Sequence, residues 1–264
     1  MRSVLAVAVD GSARPSMRFP FVYAFRQSHV RSKGRHMSSV ESGRAWPLFD
    51  LRLRTPRLEL RVPTDDDLEG LCAVARRGLH DPRQIVFEHP FWEELPSPAF
   101  EVSFLQYNWG LRAKLSPEDW RLSFAAIASG RPIGVQELWA QDFSHRRSVS
   151  TGSWIGMEFQ RHGFGTEMRA AVLSLAFECL GALVAESAYL DGNVASARVS
   201  EKLGYVPNGE RITAPKGEPT TQHLVRVTPG SWRRELVAVT VEHLEPCLDL
   251  LGVTRPHPGG TGLT

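Results

Sequence analysis

A chain of 264 residues with 42% hydrophobic and 23% charged side chains is long enough to bury a full core and too apolar to be compositionally disordered. Its net charge of +2 hides an uneven distribution: residues 1–36 hold seven Arg/Lys and one Asp, and the rest holds 24 basic against 28 acidic side chains. A mildly acidic body argues against a general nucleic-acid surface, and the apolar run from Val4 to Val9, broken by Asp10, is too short for a membrane span or a signal peptide.

Residues 1–45 mix Arg, Ser and Gly with short apolar pieces and no sustained period, so they read as a disordered or over-extended leader, with Met37 as an alternative start. Organised sequence is expected over 46–252 and a flexible, Pro/Gly-rich tail over 253–264. Alternation over 51–62 predicts a first strand. Thr64 followed by Asp65, Asp66 and Asp67 predicts a helix start, the helix reaching about Arg77. A Pro-punctuated stretch, 81–98, leads to a second helix over 99–115 with Phe100, Phe104, Tyr107 and Leu111 on one face. Strands over 122–128, 133–140 and 147–159 form a meander, the first two joined by a turn at Ser129-Gly130-Arg131-Pro132.

A helix from Thr166 carries Met168, Val172, Leu175, Cys179 and Leu180 at helical spacing. A strand over 182–190, a helix from about Asn193 through Lys202 capped by Gly204, and strands over 205–212 and 221–227 follow, with 236–241 as one more. The three cysteines, Cys72, Cys179 and Cys247, lack C-x-x-C spacing; Cys72 and Cys179 read as buried small hydrophobes, and a reducing, cytoplasmic setting fits. No metal site is expected.

Between the third meander strand and the helix lies Gln160-Arg161-His162-Gly163-Phe164-Gly165-Thr166. Two glycines one residue apart at a strand-to-helix junction suit a loop that bends around an anion, whose oxygens the unpaired N–H groups of the first helical turn can bind. A dinucleotide loop would need a third glycine where Met168 stands, and the mixed strand order is not doubly wound.

With these motifs in order, the chain resembles the GNAT N-acyltransferase superfamily. Gln160-x-x-Gly163-x-Gly165 resembles its acyl-CoA motif, and Asn193 to Ser196 through Lys202-Leu203-Gly204-Tyr205 resembles the motif that follows. Arg54-Thr55-Pro56-Arg57-Leu58-Glu59-Leu60 resembles the opening of the branch of ribosomal-protein acetyltransferases. Trp46 to Phe49 and Gly165 to Ala171 resemble actinobacterial members, some assigned to succinyl transfer. The implied fold is mixed α/β: a mostly antiparallel sheet, split at a bulged strand and flanked by helices.

The resemblance implies acyl transfer from acetyl-CoA or succinyl-CoA to a primary amine, on a protein lysine or N-terminus, by direct attack in a ternary complex. A small amine such as an antibiotic or polyamine is the alternative acceptor, and a non-catalytic acyl-CoA-binding module the alternative class; a homo-oligomer is left open. CoA pyrophosphate would meet the N–H groups of Gly163, Phe164, Gly165 and Thr166, with Gln160 in the motif and Arg161 adding charge. Main-chain groups at Met157 and Phe159 would pair with the pantetheine arm, and the Met157 N–H would contact the oxyanion.

Asn193 would both cap its helix and touch the pantetheine or acyl group; Ser196, or a water, would serve the departing sulfur, because Ser200 stands where many members carry a general-acid Tyr. Glu186 is the expected general base, with Glu137 and Glu158 as alternatives that otherwise read as solvated or salt-bridged strand residues. His89, Phe91, Trp92, Glu93, Glu94, Tyr107 and Trp109 are candidates for the acceptor side, and Ser144-His145-Arg146-Arg147 reads as a solvated turn.

Overall fold

The computed structural model describes residues 45–88 and 95–253. The leader, Met37, the 89–94 segment with His89, Phe91, Trp92, Glu93 and Glu94, and the tail from 254 lie outside the described residues. Among the described residues no helix is long and apolar enough to cross a membrane.

The alternating segment over 51–62 is a hairpin rather than one strand: β1 (Arg52–Arg54) and β2 (Glu59–Arg61) pair antiparallel with Leu53 opposite Leu60. Pro56 has no N–H to give a ladder, and Thr55 closes the turn by accepting and donating bonds with Leu58. α1 (Asp65–Arg76) then starts on a capping box in which Thr64 and Asp67 bond each other's backbone N–H. Arg61 adds two contacts to the same carboxylate and holds it below the usual range. Thr64→Ala should cost about 1 kcal/mol of stability, readable by urea denaturation.

α2 (Ala99–Lys114) packs with α1 over one face of the sheet, burying Leu68, Leu71, Phe100 and Phe104 against Ala125, Ile127 and Val135. β3 (Asp119–Ala128), β4 (Arg131–Gln141) and β5 (Ser148–Ile155) form the expected meander. Both Ser129 and Gly130 have positive φ, as a tight hairpin turn requires. A helical turn, α3 (Phe143–Arg146), connects β4 to β5, and Arg147 donates to the Gly181 carbonyl.

α4 (Phe164–Ser174) covers the opposite face with Met168, Val172 and Leu173 in the main core. Its end widens into a π turn over Leu175–Cys179, closed by Leu180 N–H to Leu175 O at 3.0 Å. The extra residue per turn rotates Cys179 off the apolar stripe, so it is exposed, contrary to expectation, while Leu175 and Leu180 stay buried. Burial pushes the Cys72 and Cys247 thiols up to about 11, so neither is a nucleophile near neutral pH.

β6 (Val184–Leu190), α5 (Val194–Lys202), β7 (Val206–Thr213), β8 (Thr220–Val227) and β9 (Thr240–Glu242) complete the chain. The sheet order is β7-β8-β6-β5-β4-β3-β2-β1-β9, with every neighbouring pair antiparallel except β5–β6. The late strand expected over 236–241 is β9, displaced towards the C-terminus because residues 234–236 form a 3-10 turn.

Candidate active site

The parallel contact between β5 and β6 lasts for three residue pairs, from Ser148 with Val184 to Ser150 with Glu186. Two side chains then stitch the strands: Thr151 Oγ1 donates to Glu186 O at 3.3 Å, and Ser187 Oγ donates to Thr151 O at 3.0 Å. Beyond them β5 remains paired with β4 as far as Ile155, and β6 with β8 as far as Leu190. A wedge therefore opens between β5 and β6. The β4–β5 register has no shift, so no bulge in β5 makes the wedge; register shifts occur between β3 and β4 and between β7 and β8.

Strand alternation gives the wedge two different walls. On the α4 side stand Thr151, bonded to the Tyr205 hydroxyl, and Ser153, next to Arg169. On the α2 side stand Trp154, edge-on to Phe104, and Gly152, whose missing side chain would lie beside Trp139 and the Glu137 carboxylate. One wall offers donors and a cation, the other carboxylates.

At the open end of β5 the chain leaves extended geometry. Met157–Phe159 is a single 3-10 turn; the Met157 N–H donates to Gly78 O at 3.0 Å and the Phe159 N–H to Gly156 O at 2.9 Å. These two donors are already committed, which corrects the oxyanion contact expected of the Met157 N–H and leaves only carbonyls for the main-chain pairing expected at Met157 and Phe159. Gln160 likewise turns inward: its amide nitrogen donates to Leu79 O and Ile155 O, fastening the loop to the body.

Arg161 and Gly163 then take positive φ, and α4 begins at Phe164. The N–H groups of Gly163, Phe164, Gly165 and Thr166 have no acceptor among the described residues, and the helix dipole adds positive potential there. Arg161 and His162 are exposed beside them.

A clamp beneath this loop was not legible as a site in the sequence. The Glu167 carboxylate, only 5% exposed, accepts from Thr55 Oγ1 (2.6 Å), the Arg57 N–H (3.0 Å) and Arg57 Nε (2.7 Å). Arg57 also donates to His162 O at 2.9 Å and lies 4.7 Å above the Phe164 ring. The β1–β2 turn thus grips the loop that opens α4 from 110 residues away. The only sequence signal was the Arg54 to Leu60 opening. Beside the clamp a cleft of about 590 Å³ is lined by Arg57, Gly163, Thr166, Lys202 and Arg233, the last two also unforeseen.

Asn193 caps α5: its Oδ1 accepts from the Ser196 N–H at 3.1 Å, and its Nδ2 donates to Val86 O at 3.3 Å. The Ser196 hydroxyl is half-buried and has no partner among the described residues. Ser200, one turn on, donates to Ser196 O and accepts from Arg169.

Of the three acids, Glu158 is exposed and paired with Arg77. Glu186, at the last β5–β6 pair, accepts from Asn208 Nδ2 at 3.4 Å. Glu137 lies opposite Gly152 on β4, accepts from the Tyr107 hydroxyl at 3.1 Å and sits 3.7 Å from Arg121; burial raises its pKa despite that cation. Tyr107 is thus drawn into a buried cluster, its own pKa pushed up to about 12, and exposed Trp109 donates to Asp65. Among the described residues no cluster of His, Cys, Asp or Glu could hold a metal ion.

The pattern of the acetyltransferase (GNAT) domain family matches residues 57–206, more than half of the chain. Solved structures with the same fold include a GCN5-related N-acetyltransferase from Brucella melitensis (20% identity, TM-score 0.54, covering 69% of this chain and 80% of that one). A second is the Mycobacterium smegmatis RimJ in complex with CoA-disulfide (18%, 0.53, 70% and 90%). A third is the ribosomal-protein-S5-alanine acetyltransferase from Vibrio fischeri (16%, 0.52, 69% and 98%). A split mixed sheet, a donor-rich loop opening α4 and the family match together identify the chain as a member of the GNAT acetyltransferase family, an acyl-CoA-dependent N-acyltransferase.

Proposed function

We propose that the protein transfers an acetyl or succinyl group from its CoA thioester to a primary amine of a protein, a lysine or an N-terminus, by direct attack in a ternary complex. The observation that carries this is the two-walled wedge: unpaired N–H groups at the head of α4 on one side, and the Glu137 and Glu186 carboxylates on the other. Gly163, Phe164, Gly165 and Thr166 bind the pyrophosphate through their N–H groups, and Arg161 adds its charge. Lys202 and Arg233 extend the positive lining towards the nucleotide end. Gln160 and Asn193 act mainly as positioning residues, through the carbonyls of Leu79, Ile155 and Val86. The Ser196 hydroxyl donates a hydrogen bond to the departing sulfur.

An amine must shed a proton to attack, and a carboxylate with an elevated pKa is suited to accept it. Glu137 has that property; Arg121 and Tyr107 are the groups that face it from β3 and α2. Glu186, nearer the wedge apex, attracts and orients the incoming ammonium. Activity should rise as pH climbs through the raised Glu137 pKa. Glu137→Gln should lower kcat about 10²-fold and remove that acid limb, whereas Glu186→Gln should chiefly raise KM. An unchanged acid limb in Glu137→Gln would reassign the base.

The proposal as a whole is tested by following thiol release from acetyl-CoA and succinyl-CoA with lysine peptides, N-terminal peptides and polyamines. Turnover confined to the small amines would overturn the protein-acceptor assignment. The branch membership suggested by Trp46 to Phe49 and Gly165 to Ala171, with its cytoplasmic setting, belongs to the same proposal.

A further inference from the structure

Arg169, in the second turn of α4, is 3% exposed, and no carboxylate lies within ion-pair distance of it among the described residues. Its Nη1 donates to Ser200 Oγ at 3.0 Å, its Nη2 reaches Ser153 Oγ at 3.5 Å, and its guanidinium carbon lies 5.9 Å from the Tyr205 ring centre. The buried Nε has no hydrogen-bond acceptor among the described residues. Burying a cation among neutral groups is costly, and burial pulls the pKa of this one down from its ordinary value.

Its position gives that cost a use. Ser153 is on β5 just past the last pair with β6, so the guanidinium lies against the α4 wall of the wedge, near its apex. Helical side chains lean towards the N-terminus, which directs the charge to the same side as the phosphate-loop N–H groups. The Ser200 hydroxyl is locked by donating to Ser196 O, and the Ser196 hydroxyl is a weak acid. Neither can readily hand a proton to a thiolate, whose thiol is a far stronger acid than serine. A sulfur leaving here therefore leaves as an anion and needs a counter-charge.

We infer that Arg169 is a catalytic residue that stabilises the thiolate of the departing CoA, with Ser200 fixing the guanidinium in place. The inference rests on the acyl-transfer reading above. In the step, the amine lone pair forms the C–N bond and the C–S bond breaks with both electrons left on sulfur. The amine proton passes to the carboxylate wall, and Arg169 keeps all its protons throughout. The same contact makes the protein bind free CoA as its thiolate.

Binding of CoA, acetyl-CoA and desulfo-CoA should be measured from pH 6 to 9 on the wild type, Arg169→Met and Arg169→Lys, together with turnover of acetyl-CoA and succinyl-CoA. Above pH 8 the wild type should hold CoA about tenfold more tightly than desulfo-CoA, Arg169→Lys should keep part of that preference, and Arg169→Met should show none at any pH. Arg169→Met should bind acetyl-CoA within about threefold of wild type and lose about 10²-fold in kcat. Its thermal midpoint should be unchanged or higher, because an apolar chain replaces a buried, unpaired charge.

Persistence of the CoA preference in Arg169→Met overturns the inference. So does a loss confined to succinyl-CoA, which would make the guanidinium a reader of an acyl carboxylate. Failure of all three ligands to bind the wild type would instead overturn the cosubstrate reading, and this inference with it.

Discussion

Replacing Gly165 with Val is expected to weaken CoA binding by 10²-fold or more, about 2.7 kcal/mol, while leaving the fold intact. In the free protein a Cβ at this position would meet Val199 Cγ2 at 3.5 Å and Ile155 Cδ1 at 3.6 Å, which is ordinary contact. Gly165 also has a helical backbone, so a side chain brings no φ strain. The penalty arises only when a phosphate must approach the N–H groups of the first turn. Gly163 differs, because its φ of +84° penalises any side chain even without ligand. Calorimetric titration of CoA, paired with thermal unfolding, separates the two: Gly165→Val should lose affinity at nearly constant midpoint, Gly163→Val should lose both. Unchanged CoA affinity in Gly165→Val would refute the assignment of the loop.

Removing the clamp should do the reverse, reaching the loop through its support. Arg57→Ala leaves the Glu167 carboxylate buried with only Thr55 Oγ1 and one backbone N–H as partners, and releases the His162 carbonyl and the Phe164 ring. Half of Arg57 is solvent-exposed, so the loss should fall at the lower end for breaking a buried pair, about 2–3 kcal/mol. CoA affinity should fall about tenfold as well, because a looser loop must be ordered on binding. Glu167→Gln keeps the shape and two of the acceptor contacts, so it should recover part of the stability. Full stability in Arg57→Ala, read by urea denaturation, would show that the clamp contributes nothing.

The loop ahead of α4 was legible because its demands are local: two glycines, a strand behind and a helix ahead. The Thr64 cap of α1 was legible for the same reason. Glu167 and Arg57 were not, since each looks like an ordinary surface charge until the β1–β2 turn is folded against α4. The strand forecast at Met157 and Phe159 failed because apolar composition says nothing about the Gly78 carbonyl that captures the Met157 N–H. Cys179 failed by one residue of helical phase, which a π turn alters without a composition cue. Arg169 fell in a run of otherwise apolar positions, where only the packed α4–α5 contact reveals a buried charge.

The wedge has a consequence for the two strand edges that it creates. Past the last shared pair, β5 and β6 each present a strand edge, the kind of surface that recruits other sheets into aggregates. Here both edges face inward, a few residues long, between α2 on one side and α4 with α5 on the other. Another sheet is too broad to enter such a slot, whereas a single slender chain can lie along it. The geometry proposed to admit a linear thioester thus also keeps these two inner edges from pairing with another sheet, and leaves β7 and β9 as the outer edges.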